Sequence, residues 1–182
     1  MNRAEALKAV TDNVKNQNLV KHMLATEAIM RALARKFGED EEEWGLAGLL
    51  HDIDYEILAG DMADHARLSS EMVRKMGGSH EMVHAILCHG MLGIPCESRM
   101  DKALYCADPL TGLITAGALI RPEKKLAAVE ASSIRKRFKE KSFAAGANRE
   151  QIATCSTLGL TLEEFIALGL EAMKGISGEL GL

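Results

Sequence analysis

Apolar residues recur at three- and four-residue intervals along most of the chain, and short Gly, Pro, Ser and Asn punctuation interrupts the rhythm. That period belongs to helices with one buried face, and the punctuation marks their ends. A short helix is expected over about Arg3 to Val14. A second is expected over about Leu19 to Phe37, where His22, Thr26, Ile29, Met30, Leu33 and Phe37 form one stripe and Gly38 supplies a stop. A third opens in the acidic run Glu39 to Glu43, which suits the positive end of a helix dipole, and carries Trp44, Leu46, Ala47, Leu49 and Leu50 into His51 and Asp52. A fourth should span about Asp64 to Met76, with His65 in its first turn. Ser79 reads as the N-cap of a fifth, about His80 to His89, and Ser98 with Asp101 as the capping box of a sixth. Inside the sixth, Pro109 should cost a hydrogen bond and break or kink the helix at Asp108. Further helix starts are expected at Pro122, near Ser132, at Asn148 with Gln151, and at Thr161 with Glu164.

Composition agrees with an all-α chain. Hydrophobic residues make up 47% of the 182 but aromatic residues only 4%, whereas strands are usually richer in β-branched and aromatic side chains. The length fits one domain, residues 1–182, with a sizeable core. A net charge of −4 gives no global field toward nucleic acid or anionic membrane, so no long nucleic acid is expected as a partner. Locally the charge is uneven: Glu39 to Asp64 contains ten acidic residues and no Lys or Arg, while Arg121 to Lys141 contains eight basic and three acidic residues. No apolar stretch approaches the roughly 18 residues of a spanning helix, so no membrane is expected. Cys88, Cys96, Cys106 and Cys155 form no C-x-x-C pair, which suggests reduced thiols and a cytoplasmic protein. Nothing in the pattern identifies an oligomeric state.

The chemistry is concentrated in imidazoles and carboxylates spread over several helices: His22, His51, Asp52, His65, His89 and Asp108. Neutral imidazole suits Zn, Fe, Mn, Co or Ni, and a carboxylate can complete such a site or bridge two cations. Adjacent helical residues point about 100° apart. His51 and Asp52 therefore serve one centre most easily at a helix end, or with Asp52 between two ions.

His22, then His51-Asp52, then Asp108, in that order on helices, resembles the H…HD…D signature of the HD-domain superfamily of metal-dependent phosphohydrolases. LLHDIDYE, DHARLSSEMVRKMG, ILCHG, ALYCADPLTGLI and RFKEKSFAAGANRE are similar to segments of small stand-alone bacterial HD proteins with HDIG-like motifs. The resemblance implies a helical HD core over 18–120 with C-terminal helices, 121–182, packed on it. It implies that His22, His51, Asp52 and Asp108 bind a first divalent transition metal, and that His65 and His89 bind a second that Asp52 bridges. It further implies hydrolysis of a phosphate ester by metal-activated water, with a small phosphorylated metabolite or nucleotide as substrate. Asp54 and Tyr55 stand where related enzymes that cleave cyclic dinucleotides carry Gly and a phosphate-contacting Lys, which argues against that substrate.

Asp52 and Asp54 are the candidate catalytic carboxylates, with Asp54 and Glu56 able to orient water or a ligating histidine. Lys139, Lys141 and Arg149, in and beyond the basic run Arg135 to Lys141, are candidates to grip substrate phosphate. The plainer reading of that run is a solvated helix face. His80 and His84 read as a cap neighbour and a surface or supporting residue, and the methionines as core filler. The resemblance leaves two other functions open: a di-iron oxygenase, as some similar HD proteins are, and a non-catalytic sensor or interaction module stabilised by metal.

Overall fold

The computed structural model describes residues 1–60, 62–90 and 92–182, with Met62 described by its backbone alone. Among the described residues there are ten α-helices and no strand. They are α1 (Arg3–Asn13), α2 (Gln17–Phe37), α3 (Glu41–Leu50), α4 (Arg67–Lys75), α5 (His80–His89), α6 (Arg99–Leu119), α7 (Ala131–Phe138), α8 (Arg149–Ala153), α9 (Leu162–Gly175) and α10 (Ser177–Leu180).

Local chemistry sets most of these boundaries. The side chains of Asn2, Asp40, Ser79, Ser98 and Thr161 each accept a backbone N–H of the first helical turn that follows, and Asn2–Glu5, Ser98–Asp101 and Thr161–Glu164 do so reciprocally. Each cap of this kind contributes about 0.5–2 kcal/mol. Gly38 ends α2 in the left-handed conformation, at φ 72°.

The two longest helices, α2 and α6, form the frame. α2 packs against α3, α6 and α9, while α6 also packs against α5, α7 and α8. Between them Ile29, Met30 and Leu33 of α2, Leu49 and Leu50 of α3, Ile86 of α5, Leu104 and Leu110 of α6 and Phe165 of α9 are fully buried. α3 approaches the α2 backbone closely at Gly48, where a Cβ would stand 2.9 Å from the Glu27 backbone. Because α3 lies that near α2, its last turn and the residues after it face the middle of α2.

Four expectations need correction. α6 runs through Pro109 without a break at Asp108. Its neighbours on several sides hold the helix together against the roughly 3 kcal/mol that an internal proline costs. α4 begins at Arg67, after a 3₁₀ turn at Met62–Asp64, so His65 precedes the helix. No helix starts at Pro122: Lys124 sits at φ 49°, a left-handed conformation that a helix excludes, and only the 3₁₀ turn Leu126–Ala128 follows. Finally, Cys88 and Cys96 are joined in a disulfide, their Cα atoms 5.9 Å apart, instead of standing as reduced thiols. Pairing follows the spatial approach of two thiols, which sequence spacing did not reveal. Cys106 and Cys155 are free and buried. No single helix among the described residues is long and apolar enough to cross a membrane.

Candidate metal centre

His22 comes from the first half of α2, His51 and Asp52 from the end of α3, His65 from the turn before α4, His89 from the last turn of α5 and Asp108 from the middle of α6. The structure brings all six together. Their polarity is buried because α3 stops where it does: His51 closes the helix and the chain turns, so two adjacent side chains point to one place.

Each imidazole is held by its Nδ1. His51 Nδ1–H donates to the Gly48 carbonyl at 2.8 Å, His65 Nδ1–H to Asp54 Oδ1 at 2.9 Å, and His89 Nδ1–H to the Ile86 carbonyl. For His22 the partner is Thr111 Oγ1 at 2.8 Å. That hydroxyl donates its one proton to the Asp108 carbonyl, 2.8 Å away, so toward His22 it accepts. All four rings therefore keep the proton on Nδ1 and turn Nε2 inward, the arrangement of ligating histidines whose outer nitrogen is tied to an acceptor.

The inward nitrogens divide between the two oxygens of Asp52. Oδ2 lies 3.5 Å from both His22 Nε2 and His51 Nε2, and Asp108 Oδ1 is 3.2 Å from His22 Nε2 and 3.9 Å from His51 Nε2. Oδ1 of Asp52 lies 3.4 Å from both His65 Nε2 and His89 Nε2. His22, His51 and Asp108 offer ligand atoms within 4.8 Å of one another, as do His51, Asp52 and His89. A divalent transition metal fits this set. The Nε2 atoms of His22 and His51 face each other at 3.1 Å, a contact that needs a positive charge between them, either a cation or a proton on His22 donated to His51. Among the described residues the buried Nε2 of His89 makes no hydrogen bond, its nearest polar neighbour being the Asp52 carboxylate at 3.4 Å, and a cation between the two would satisfy both.

The charges agree. Burial opposes ionisation of Asp52, but His51, His22 and His89 hold its carboxyl well below the usual range. Burial also opposes ionisation of Asp108, which His22 and His51 likewise keep low. Burial disfavours charge on His22, yet Asp108 and Asp52 raise its pKa to about 10. In the absence of a cation the two carboxylates hold a proton in its place.

Asp54 has a supporting position. It is fully buried; Oδ1 accepts from His65, and Oδ2 accepts the backbone N–H groups of Ala66 at 2.9 Å and Ser69 at 3.0 Å. With its lone pairs committed, it orients His65 and caps α4 from a distance, and it does not face the open side of the centre. Glu56 accepts the backbone N–H groups of Lys15 and Asn16, pinning the chain just before α2. His84 donates Nδ1–H to Asp101 Oδ2 at 2.9 Å, away from the cluster.

The expected phosphate grip is not assembled here. Arg149 donates to the carbonyls of Phe138, Glu140, Phe143, Ala144 and Ala147, so its guanidinium is occupied in closing the 138–147 turn. Lys139 and Lys141 are exposed just beyond α7. α7 packs on the far end of α6, with Ile134 against Gly117, about 13 Å along the helix from Asp108 at 1.5 Å per residue. The cavities that do open on His22 are lined by other residues, among them Lys21, Thr111 and Tyr55. A sequence signal existed for two of these. Lys21 stands three residues after Asn18 and beside His22 on α2, and Thr111 one helical turn after Asp108.

Comparison with known proteins gives the same frame. The family model described as "HD domain" matches residues 19–111, half of the chain. The chain is similar to Ribonuclease Y of Geobacter sulfurreducens, 28% identical over 168 residues, which covers 91% of this chain and 32% of that protein. It is also similar to Ribonuclease Y of Oleidesulfovibrio alaskensis, 30% identical over 97 residues, covering 53% of this chain and 18% of the relative. The chain thus spans a third or less of the length of these relatives. No solved structure matches it significantly.

Proposed function

Since the chain belongs to the HD-domain family, we propose that it is a metal-dependent hydrolase of phosphate esters, with a small phosphorylated metabolite or nucleotide as substrate. The observation that carries this reading is the convergence of four Nε2 atoms on the two oxygens of Asp52, with the Asp108 carboxylate beside two of them, His22 and His51. A bound divalent transition metal such as Fe, Mn, Zn, Co or Ni supplies Lewis acidity, lowering the pKa of water and offsetting charge that develops on phosphoryl oxygens. The protein's part is placement. Gly48, Thr111, Asp54 and Ile86 fix the four rings, so little reorganisation remains when substrate arrives. Two carboxylates among neutral imidazoles leave a centre with two divalent ions at a net charge of +2, which attracts a phosphate; with one ion the centre is neutral.

The open side is fixed by exposure: the His22 and Asp108 side chains are 23% and 26% exposed, whereas His51 is 0% exposed. Substrate phosphate would approach past His22 and Asp108. A second reading, cleavage of the phosphodiester linkages of RNA, is favoured by the similarity to ribonucleases over 91% of the chain. Both readings share one reaction and differ in what stands beyond the phosphorus. Purified protein is expected to contain a transition metal and, with Mn²⁺ or Co²⁺ restored after chelation, to hydrolyse members of a phosphoester panel. Asp52→Ala should lose both the metal and the turnover. Protein that binds no transition metal, or that is metal-loaded and inert across the panel, would end the proposal.

A further inference from the structure

α5 opens with the segment His80-Glu81-Met82-Val83-His84. Residues four apart on a helix are neighbours on one face, and two histidines so spaced, with a glutamate after the first, form the pattern by which a helix chelates Zn²⁺. By itself the pattern is a weak signal. Packing adds a cavity of about 190 Å³ between the start of α5 and the start of α6, lined by His80, Glu81, His84, Glu97, Ser98 and Asp101. It lies apart from the metal centre. His84 stands five residues before His89 on α5 and Asp101 seven before Asp108 on α6, about 7.5 and 10.5 Å of helix rise.

His84 is held as a ligating histidine is held. Its Nδ1–H donates to Asp101 Oδ2 at 2.9 Å, which fixes the tautomer and leaves a lone pair on Nε2. Asp101 is fully buried; Oδ2 also accepts the backbone N–H groups of Glu97 and Ser98, at 2.9 Å each, while Oδ1 makes no hydrogen bond among the described residues. Its ion-pair partner among those residues is His84, and no Lys or Arg stands against it. Buried charges are normally paired or bound to a metal, and a neutral imidazole brings a dipole but no charge. A cation on His84 Nε2 supplies that charge through the ring. The helix ends do not prevent it: the N-termini of α5 and α6 carry about half a positive charge each, against the three carboxylates of Glu81, Glu97 and Asp101.

We infer that α5 and the start of α6 form a separate site for a divalent transition ion of the Zn²⁺ class, with His80, His84 and the Glu97 carboxylate as ligands and water completing the shell. Asp101 is the carboxylate that positions His84 from behind. Two imidazoles and a carboxylate select such an ion over Mg²⁺ or Ca²⁺, which prefer oxygen alone. His84 and Asp101 are already in place, whereas His80 and Glu97 are exposed and free to swing onto the ion. At about 190 Å³ the cavity is smaller than the roughly 300–1,000 Å³ of a small-molecule site, so it takes an ion with its waters and not an organic substrate. The bound ion ties the first two turns of α5 to the residues just before α6, bracing the helix whose last residue is His89.

The test measures zinc bound to the full chain, by elemental analysis after saturation with Zn²⁺ and dialysis. His80 is exposed and makes no hydrogen bond among the described residues, so His80→Ala leaves the fold as it is. The parent should hold one zinc ion per chain more than His80→Ala. Asp52→Ala, which empties the metal centre, should still hold that ion, and the double variant Asp52→Ala with His80→Ala should hold none. By calorimetry, Asp101→Asn should weaken binding of this ion at least tenfold, the usual effect of removing a carboxylate behind a ligating histidine. Zn²⁺ should also raise the urea midpoint of the parent more than that of His80→Ala. Equal zinc in the parent and His80→Ala overturns the inference, as does a folded Asp52→Ala that holds no zinc. Should Asp52→Ala fail to fold, the comparison of the parent with His80→Ala decides alone.

Discussion

The contact between Gly48 and α2 can be tested with a single methyl group. In Gly48→Ala the new Cβ would stand 2.9 Å from the Glu27 Cα and N and from the Thr26 carbonyl carbon, all backbone atoms. Carbon atoms pack best at about 3.5–4.0 Å, so α3 must retreat from α2 by roughly 0.6–1 Å. Forcing a methyl into a filled space costs about 1–3 kcal/mol, and alanine returns about 0.8–1 kcal/mol of helix propensity. The net expectation is a loss of about 0–2 kcal/mol in urea denaturation, small enough for the protein to fold. Metal affinity should suffer more. The Gly48 carbonyl holds His51 Nδ1, and His51 Nε2 stands 3.1 Å from His22 Nε2 on the helix from which α3 withdraws. Metal titration of the variant should show at least tenfold weaker binding. Gly45→Ala is the comparison on the same helix: the three atoms nearest its Cβ belong to the Arg31 side chain, so the strain falls on Arg31 and its ion pairs with Glu27 and Glu42 and not on the α2 backbone. If Gly48→Ala is more stable than the parent by about the propensity difference and binds metal as well, the close approach does not set the site.

Two further outcomes follow from supporting carboxylates. Asp54→Asn exchanges an acceptor-only group for an amide that cannot receive all three N–H donors of His65, Ala66 and Ser69; a loss of about 1–3 kcal/mol is expected, with reduced metal content by elemental analysis. Unchanged content would mean that His65 needs no orientation. Asp101 is pulled below the usual carboxylate range: burial opposes this, but the Ser98 backbone, His84, the Ser98 hydroxyl and the Glu97 backbone outweigh it. A depressed folded pKa gives stability that is complete above the unfolded value of about 4 and is lost as pH falls through the folded one. Asp101→Asn should therefore flatten the acid limb of the urea midpoint between about pH 5 and 2, and a limb as steep as the parent's would rule Asp101 out as its source.

What the sequence determined by itself was local. Helix starts at Ser98 and Thr161 are written in residues three apart, because a cap and its partner share one turn, and Ser79 marks another by itself. The all-α class and the HD family were readable for a related reason: period and ordered motif are properties of the chain, whatever it packs against. Three-dimensional packing decided the rest. Whether Pro109 breaks α6 depends on neighbours that surround the helix, and whether Cys88 meets Cys96 depends on how the chain turns after α5. Asp54 reads as a catalytic carboxylate beside His51-Asp52, but its three donors come from 11 to 15 residues further on. Arg149 reads as a phosphate grip until the carbonyls of 138–147 converge on it. Lys21 and Tyr55 come to line cavities at His22 only because α2, α6 and the chain after α3 leave space there. Spacing along a chain fixes what one turn can do for itself, while the partner of a buried polar group is chosen by whichever distant atoms the packed helices bring within reach.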